Sequence, residues 1–109
     1  MAFFYIREGS SFNWSQIADV VIGRPAYDNY LVAMAIRMGV NVIDATRTMI
    51  ALHLSTPGVR EEGRTNADSA YNVQAVGPFP WNHGLTTSSR FMMTFDSKGN
   101  ELLVIRKGH

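Results

Sequence analysis

A chain of 109 residues that is 46% hydrophobic and 17% charged fits one ordinary globular domain and excludes a disordered segment. The net charge of +1 offers no bulk attraction to nucleic acid or anionic membrane, and zero cysteines exclude a disulfide framework and a thiolate zinc site. No apolar run approaches the roughly 20 residues that span a bilayer, and Arg7 and Glu8 interrupt Met1-Ala2-Phe3-Phe4-Tyr5-Ile6 far short of a signal-peptide core, so a cytoplasmic protein is expected.

Ala2 to Arg7 is aromatic and β-branched and predicts a short strand, closed by Gly9-Ser10-Ser11. Ser11 or Asn13 can cap a helical turn over Trp14 to Val21; the alternative is an extended segment from Ala18 to Ile22. Gly23-Arg24-Pro25 breaks whatever precedes it. From Ala26 to Met38, Tyr27, Tyr30, Leu31, Met34 and Met38 recur at spacings of three and four, which predicts one apolar helix face. Asp28 in the first turn and Arg37 in the last complement the helix dipole, and Gly39 supplies the stop.

Val40 to Asp44 follows as a β-branched strand. Thr48 to Leu54 predicts a second strand, in competition with a helix begun by an Asp44 cap. Residues 59–84 comprise a polar loop, a helix from Asn66 to Ala75 with Ala67, Ala70, Tyr71 and Gln74 on one side, and a proline-flanked loop from Gly77 to Gly84. Phe91 to Phe95 and Glu101 to Ile105 predict a hairpin through Asp96-Ser97-Lys98-Gly99-Asn100, and Arg106-Lys107-Gly108-His109 a frayed tail. The order implies a single α/β or α+β domain over residues 1–109, with a small mixed sheet and two or three helices.

The stretch Gly23 to His53, GRPAYDNYLVAMAIRMGVNVIDATRTMIALH, resembles the C-terminal half of a family of GT-A-like nucleotide-diphospho-sugar transferases. The family carries a G-R-P-x-W/Y-D-N-W/Y-L helix start, a short strand ending in V-I-D-A-T, and an apolar segment ending in A-I/L-H. Gly23, Arg24, Pro25, Asp28, Asn29, Leu31, Val42, Ile43, Asp44, Ala45, Thr46, Ala51 and His53 match in order and spacing. The match covers residues 2–54, about half of the chain. After His53 the family continues with further polar and histidine residues, where this chain has Leu54-Ser55-Thr56-Pro57.

The resemblance implies a glycosyltransferase-like domain that supplies acceptor-side and base residues for transfer from a nucleotide-sugar. The family's acid-bearing nucleotide and metal site lies upstream of this block, so the resemblance also implies that the chain is incomplete alone and needs a partner chain or a homo-oligomer. Asp28 is the candidate base that takes the acceptor hydroxyl's proton; its plainer role is to complement the helix N-terminus. Arg24 and Asn29 are candidates for holding a substrate hydroxyl or phosphate, or for bracing their own loop. Asp44 suits a turn better than catalysis. His53 is the candidate ligand of a divalent metal such as manganese, against a structural role in an apolar run. Trp81, with Phe79 and Tyr71, offers flat faces for a carbohydrate acceptor, or caps the core.

A non-enzymatic structural or assembly protein, viral for example, is the competing function, in which an exposed edge strand pairs two copies. A LysM-like glycan-binding module is a third. Phe4-Tyr5-Ile6 followed by Gly9-Ser10-Ser11, two short helices and a strand mimics its order, but its Gly-Asp-Thr start is absent.

Overall fold

A computed structural model describes residues 9, 11–52 and 70–108 of the chain. It is a small mixed α/β domain. Two helices, α1 (Tyr27–Arg37) and α2 (Tyr71–Val76), accompany three strands, β1 (Ile43–Asp44), β2 (Phe91–Phe95) and β3 (Leu102–Arg106). The sheet order is β1-β2-β3, with β1 parallel to β2 and β2 antiparallel to β3. Among the described residues no helix is long and apolar enough to cross a membrane.

Helix α1 forms where the apolar spacing places it and ends as its sequence requires. Gly39 adopts φ 76° and donates to the Ile36 carbonyl, while Val40 N–H reaches back to the Ala35 carbonyl. That pair of bonds is a Schellman cap, which glycine alone enters without steric cost. Tyr30, Leu31 and Met34 are buried as the periodicity implies, whereas Tyr27 and Met38 are half-buried. Val32 and Ala33 are buried as well, and a second layer packs on the helix beside Ala33.

That layer is the proline-flanked loop. It contains a 3-10 turn at Trp81–His83 that packs against α1. Phe79 meets Tyr30 edge to face at 5.7 Å between ring centroids, and the Arg37 guanidinium lies 5.4 Å from the same ring. Gly84 then passes so close to the helix that a Cβ there would sit 1.8 Å from the Asn29 carbonyl oxygen and 2.7 Å from the Ala33 nitrogen.

Several elements differ from their sequence expectation. The strand expected over Val40 to Asp44 contracts to Ile43–Asp44. The described part of the Thr48 to Leu54 run is neither strand nor helix: Thr48 and Met49 donate to the Ala45 carbonyl in a turn, and Met49 to Leu52 are exposed. Trp14–Gln16 is a 3-10 turn capped by the Asn13 side chain, so the helical alternative holds over that part alone; residues 18–22 form no strand, and Val20 N–H closes a tight turn onto the Ala18 carbonyl. Helix α2 turns inward through Asn72, not through Tyr71 and Gln74, which are exposed. Arg106 belongs to β3 and Lys107 is anchored, so neither is a frayed tail. The strand expected at Ala2 to Arg7 and the Asn66 cap lie outside the described residues.

The hairpin forms as expected. Asp96 Oδ1 accepts from Asn100 N–H at 2.7 Å, and Gly99 at φ 73° closes the turn. The buried apolar side chains among the described residues are Phe12, Ala26 and five consecutive residues of α1, with none from the sheet. Among the described residues the core is small and centred on one helix.

The Gly84 contact sets a stability test. Gly84→Ala is expected to lower the free energy of unfolding by about 3 kcal/mol, since backbone on both sides must move. Gly108→Ala, with open space around the added methyl, is expected to change it by less than about 0.5 kcal/mol. Urea denaturation of the two variants measures the contrast.

Candidate functional site

The residues singled out by the G-R-P-x-Y-D-N pattern sit where the chain enters α1. Gly23 takes φ 80°, and Ala26, the helix N-cap, takes φ 75° while 5% exposed. A buried alanine in the left-handed region is strained by about 1–2 kcal/mol, and such strain persists only where surrounding contacts hold it. The Ala26 carbonyl accepts from Tyr30 N–H at 2.9 Å and so begins the helical ladder.

Asp28 is half-buried in the first turn, and its Oδ1 accepts from Asn29 N–H at 3.2 Å. One carboxylate oxygen thus serves the helix start, in line with its plainer role. Asn29 is half-buried, with its carbonyl beneath Gly84. Arg24 is half-buried; its Nη1 lies 3.5 Å from the Gly23 carbonyl oxygen, and its Nε is buried without a hydrogen-bond partner. A guanidinium with an unsatisfied donor favours an anionic or hydroxylic acceptor placed against it.

Beside this junction runs an open groove of about 430 Å³, lined by Trp14, Ile17, Asp19, Ile22, Tyr27 and Leu31 among others. Two features hold its far wall. Tyr30 Oη accepts from Ala18 N–H at 3.0 Å. Asn72, fully buried, accepts from Val21 N–H at 2.7 Å through Oδ1 and donates to the Val21 carbonyl at 2.8 Å through Nδ2. The side chain of Asn72 thereby stands in for a paired strand, satisfying both backbone groups of one residue. Trp14 is 57% exposed over the groove and is steadied by Phe12, edge to face at 4.8 Å.

The structure brings Arg24, Asp28 and Asn29 onto one loop-helix junction, with the turn bearing Trp81 packed on the same helix. It does not gather the three aromatics expected to stack together. Phe79 is spent on Tyr30 and Arg37, Tyr71 is exposed on α2, and no ring contact joins either to Trp81 among the described residues. His53 lies outside the described residues. Among those described, no three of His, Asp and Glu come together, so they do not by themselves form a divalent-metal site and no step below is routed through one. Trp14, Asp19, Tyr30 and Asn72 escaped sequence reasoning as site residues. Tyr30 stood on the predicted apolar face, but nothing in the spacing tells which backbone group its hydroxyl meets.

Asp44 performs the turn role expected of it. Its Oδ1 accepts from the Thr46 hydroxyl and from Thr46 N–H at 2.9 Å, and its Oδ2 lies 3.2 Å from Lys107 Nζ. Lys107 also donates to Ser89 Oγ at 2.8 Å and to the Thr86 carbonyl at 3.1 Å. The hydrogen bond from the Thr46 side chain, opposed by partial burial and aided by Thr46 N–H and Lys107, holds the Asp44 carboxyl below its ordinary 3.8.

Compared with protein-family models, with curated proteins and with solved structures, the chain matches none. The reading of the site therefore rests on its own geometry and on the resemblance in the Gly23 to His53 stretch.

Two measurements probe these anchors. A carboxyl depressed on folding contributes stability that is present above its unfolded value and lost as pH falls through the folded one. Unfolding free energy is accordingly expected to drop below about pH 4, and Asp44→Asn is expected to flatten that drop in urea titrations at a series of acid pH values. Asn72→Ala is expected to cost about 2 kcal/mol by leaving the Val21 N–H and carbonyl unpaired. Hydrogen exchange at Val21 should accelerate in that variant more than exchange within α1.

Proposed function

We propose that this chain is a glycosyltransferase-like domain of GT-A type that binds a carbohydrate acceptor at the entry to α1. One observation carries the reading: an open groove of about 430 Å³ is walled by Tyr27 and Leu31 at the start of α1, the helix whose entry also carries Arg24, Asp28 and Asn29, although these three are not in its lining. Trp14 and Tyr27 give the groove flat apolar faces, and Asp19 gives it a carboxylate. That combination suits a sugar ring, which has an apolar face and a rim of hydroxyls.

In this reading the acceptor ring lies on Trp14 and Tyr27, and the guanidinium of Arg24 donates to a substrate hydroxyl or phosphate. The free oxygen of Asp28 takes the proton of the acceptor hydroxyl as that oxygen bonds to the anomeric carbon of the donor sugar. The bond from that carbon to the nucleotide diphosphate breaks, and the diphosphate leaves. Binding of the nucleotide, and of manganese or another divalent metal through His53, belongs to this proposal as the part implied by resemblance and supplied together with a partner chain.

An assembly role is the second reading. It is favoured by apolar side chains exposed on β3 and by a core that draws nothing fully buried from the sheet.

Calorimetric titration with UDP- and GDP-sugars in the presence of manganese, and with a panel of oligosaccharide acceptors, tests the proposal. Binding of at least one oligosaccharide is expected. Trp14→Ala is expected to weaken it about tenfold, in line with the loss of one aromatic contact, while Asp28→Asn leaves binding intact and abolishes any transfer. Absence of heat with every sugar would sink the acceptor-site reading and leave assembly.

A further inference from the structure

We propose that the groove beside α1 takes a sugar ring bearing a free, protonated amine, and that Asp19 is the residue that selects it. The proposal rests on the carbohydrate reading of that groove and names the class of acceptor within it.

The position of the carboxylate comes first. Ala18 N–H donates to Tyr30 Oη at 3.0 Å, and Asn72 holds both backbone groups of Val21 at 2.7 and 2.8 Å. Between these anchors Val20 N–H donates to the Ala18 carbonyl at 2.8 Å. That bond closes a three-residue γ-turn with Asp19 at its centre. The chain is thus pinned one residue before Asp19 and two residues after it, by side chains from α1 and α2. Asp19 itself is exposed, and among the described residues its carboxylate makes no hydrogen bond or ion pair. A carboxylate fixed at a groove wall without a partner of its own can take a charged hydrogen-bond donor from a ligand.

Charge sets the sign of that ligand. Asp19 is the one charged side chain among the described lining residues, and no lysine, arginine or histidine stands with it. Arg24, in the loop before α1, is not in the lining. The chain as a whole carries +1, so its bulk field does not draw cations. Attraction for an ammonium group therefore comes from the groove itself.

The aromatic residues act in the same sense. Trp14, 57% exposed, and Tyr27 line the groove together with Asp19. The negative face of an aromatic ring attracts an ammonium group and also receives the apolar face of a sugar. Ile17, Ile22 and Leu31 add aliphatic carbon only. A neutral sugar leaves the carboxylate without an ionic partner, and a uronic acid sets a second negative charge against it. An amino sugar uses the rings and the carboxylate at once.

Calorimetric titration of the full chain with a glucosamine tetrasaccharide, its fully N-acetylated counterpart and tetralysine tests the assignment in mildly acidic, low-salt buffer. The glucosamine tetrasaccharide is expected to bind about fivefold more tightly than the acetylated one, and the margin to shrink as salt is added. Tetralysine, which carries the charge without the ring, is expected to bind about tenfold more weakly than the glucosamine tetrasaccharide. Asp19→Asn is expected to erase the preference, so that the two sugars bind alike. Asp19→Glu is expected to keep it, and both variants to retain the wild-type circular dichroism. Equal binding of the two sugars by the wild-type chain, a preference that survives Asp19→Asn, or tetralysine binding as tight as the amino sugar's would overturn the amine assignment and leave the carbohydrate reading standing. Failure of every sugar to bind, neutral or amino, would remove the carbohydrate reading and the amine assignment with it.

Discussion

The structure depends on the passage of Gly84 over the backbone of α1. With no side chain at that position, the loop after the Trp81–His83 turn lies directly on the Asn29 carbonyl and the Ala33 nitrogen. That approach covers the backbone at Ala33, which the apolar spacing of the helix does not by itself bury. It also places Phe79 against Tyr30 and Arg37. With its ring fixed by Phe79, Tyr30 offers its hydroxyl to Ala18 N–H, and the segment that walls the groove is held to the helix. Asn72 fastens the same segment from α2 through both backbone groups of Val21. One close contact thus leads, through two aromatic rings and two polar side chains, to the geometry at the candidate site.

The sheet is organised by a different device. Asp44 ends β1, Lys107 follows β3, and their ion pair ties the two outer strands together across β2. Ser89, 2% exposed, joins the pair by accepting from Lys107 and donating to the Thr86 carbonyl. Both charged side chains are only 15–16% exposed, and each makes further hydrogen bonds, Asp44 to Thr46 and Lys107 to Ser89 and Thr86. A partly buried pair retained under those conditions fixes strand placement more than it adds net stability. The apolar residues of β3 are left outward by this arrangement, with nothing fully buried from the sheet behind them.

Local rules made part of this legible in the sequence. Helix α1, its Gly39 stop, the Asp96 to Asn100 turn and the turn role of Asp44 follow from spacing, glycine and side-chain chemistry within a few residues. The coarse class, a small mixed sheet with helices, follows from the order of elements. Non-local features did not. Asn72 is a polar residue that becomes the most buried side chain of α2 because its partner is Val21, distant in sequence, and amphipathic spacing therefore pointed to the wrong face. Lys107 looked like a tail because its three partners come from β1 and from the loop before β2. The groove escaped notice for the same reason: Trp14, Asp19 and Tyr27 share a wall only after the chain has turned back along α1. The Gly23 to Asn29 pattern pointed to the right neighbourhood and to its polar residues, without the aromatic surface beside them.

The central claim is that the junction entering α1 is a carbohydrate-contacting surface. Amide chemical-shift mapping of the isotope-labelled chain during titration with the tightest-binding oligosaccharide tests it most directly. The account predicts shifts confined to Trp14, Asp19, Tyr27, Arg24 and their immediate neighbours, with α2 and the 96–100 turn unmoved. Shifts centred on the β2–β3 hairpin, or a spectrum that no sugar perturbs, would contradict it.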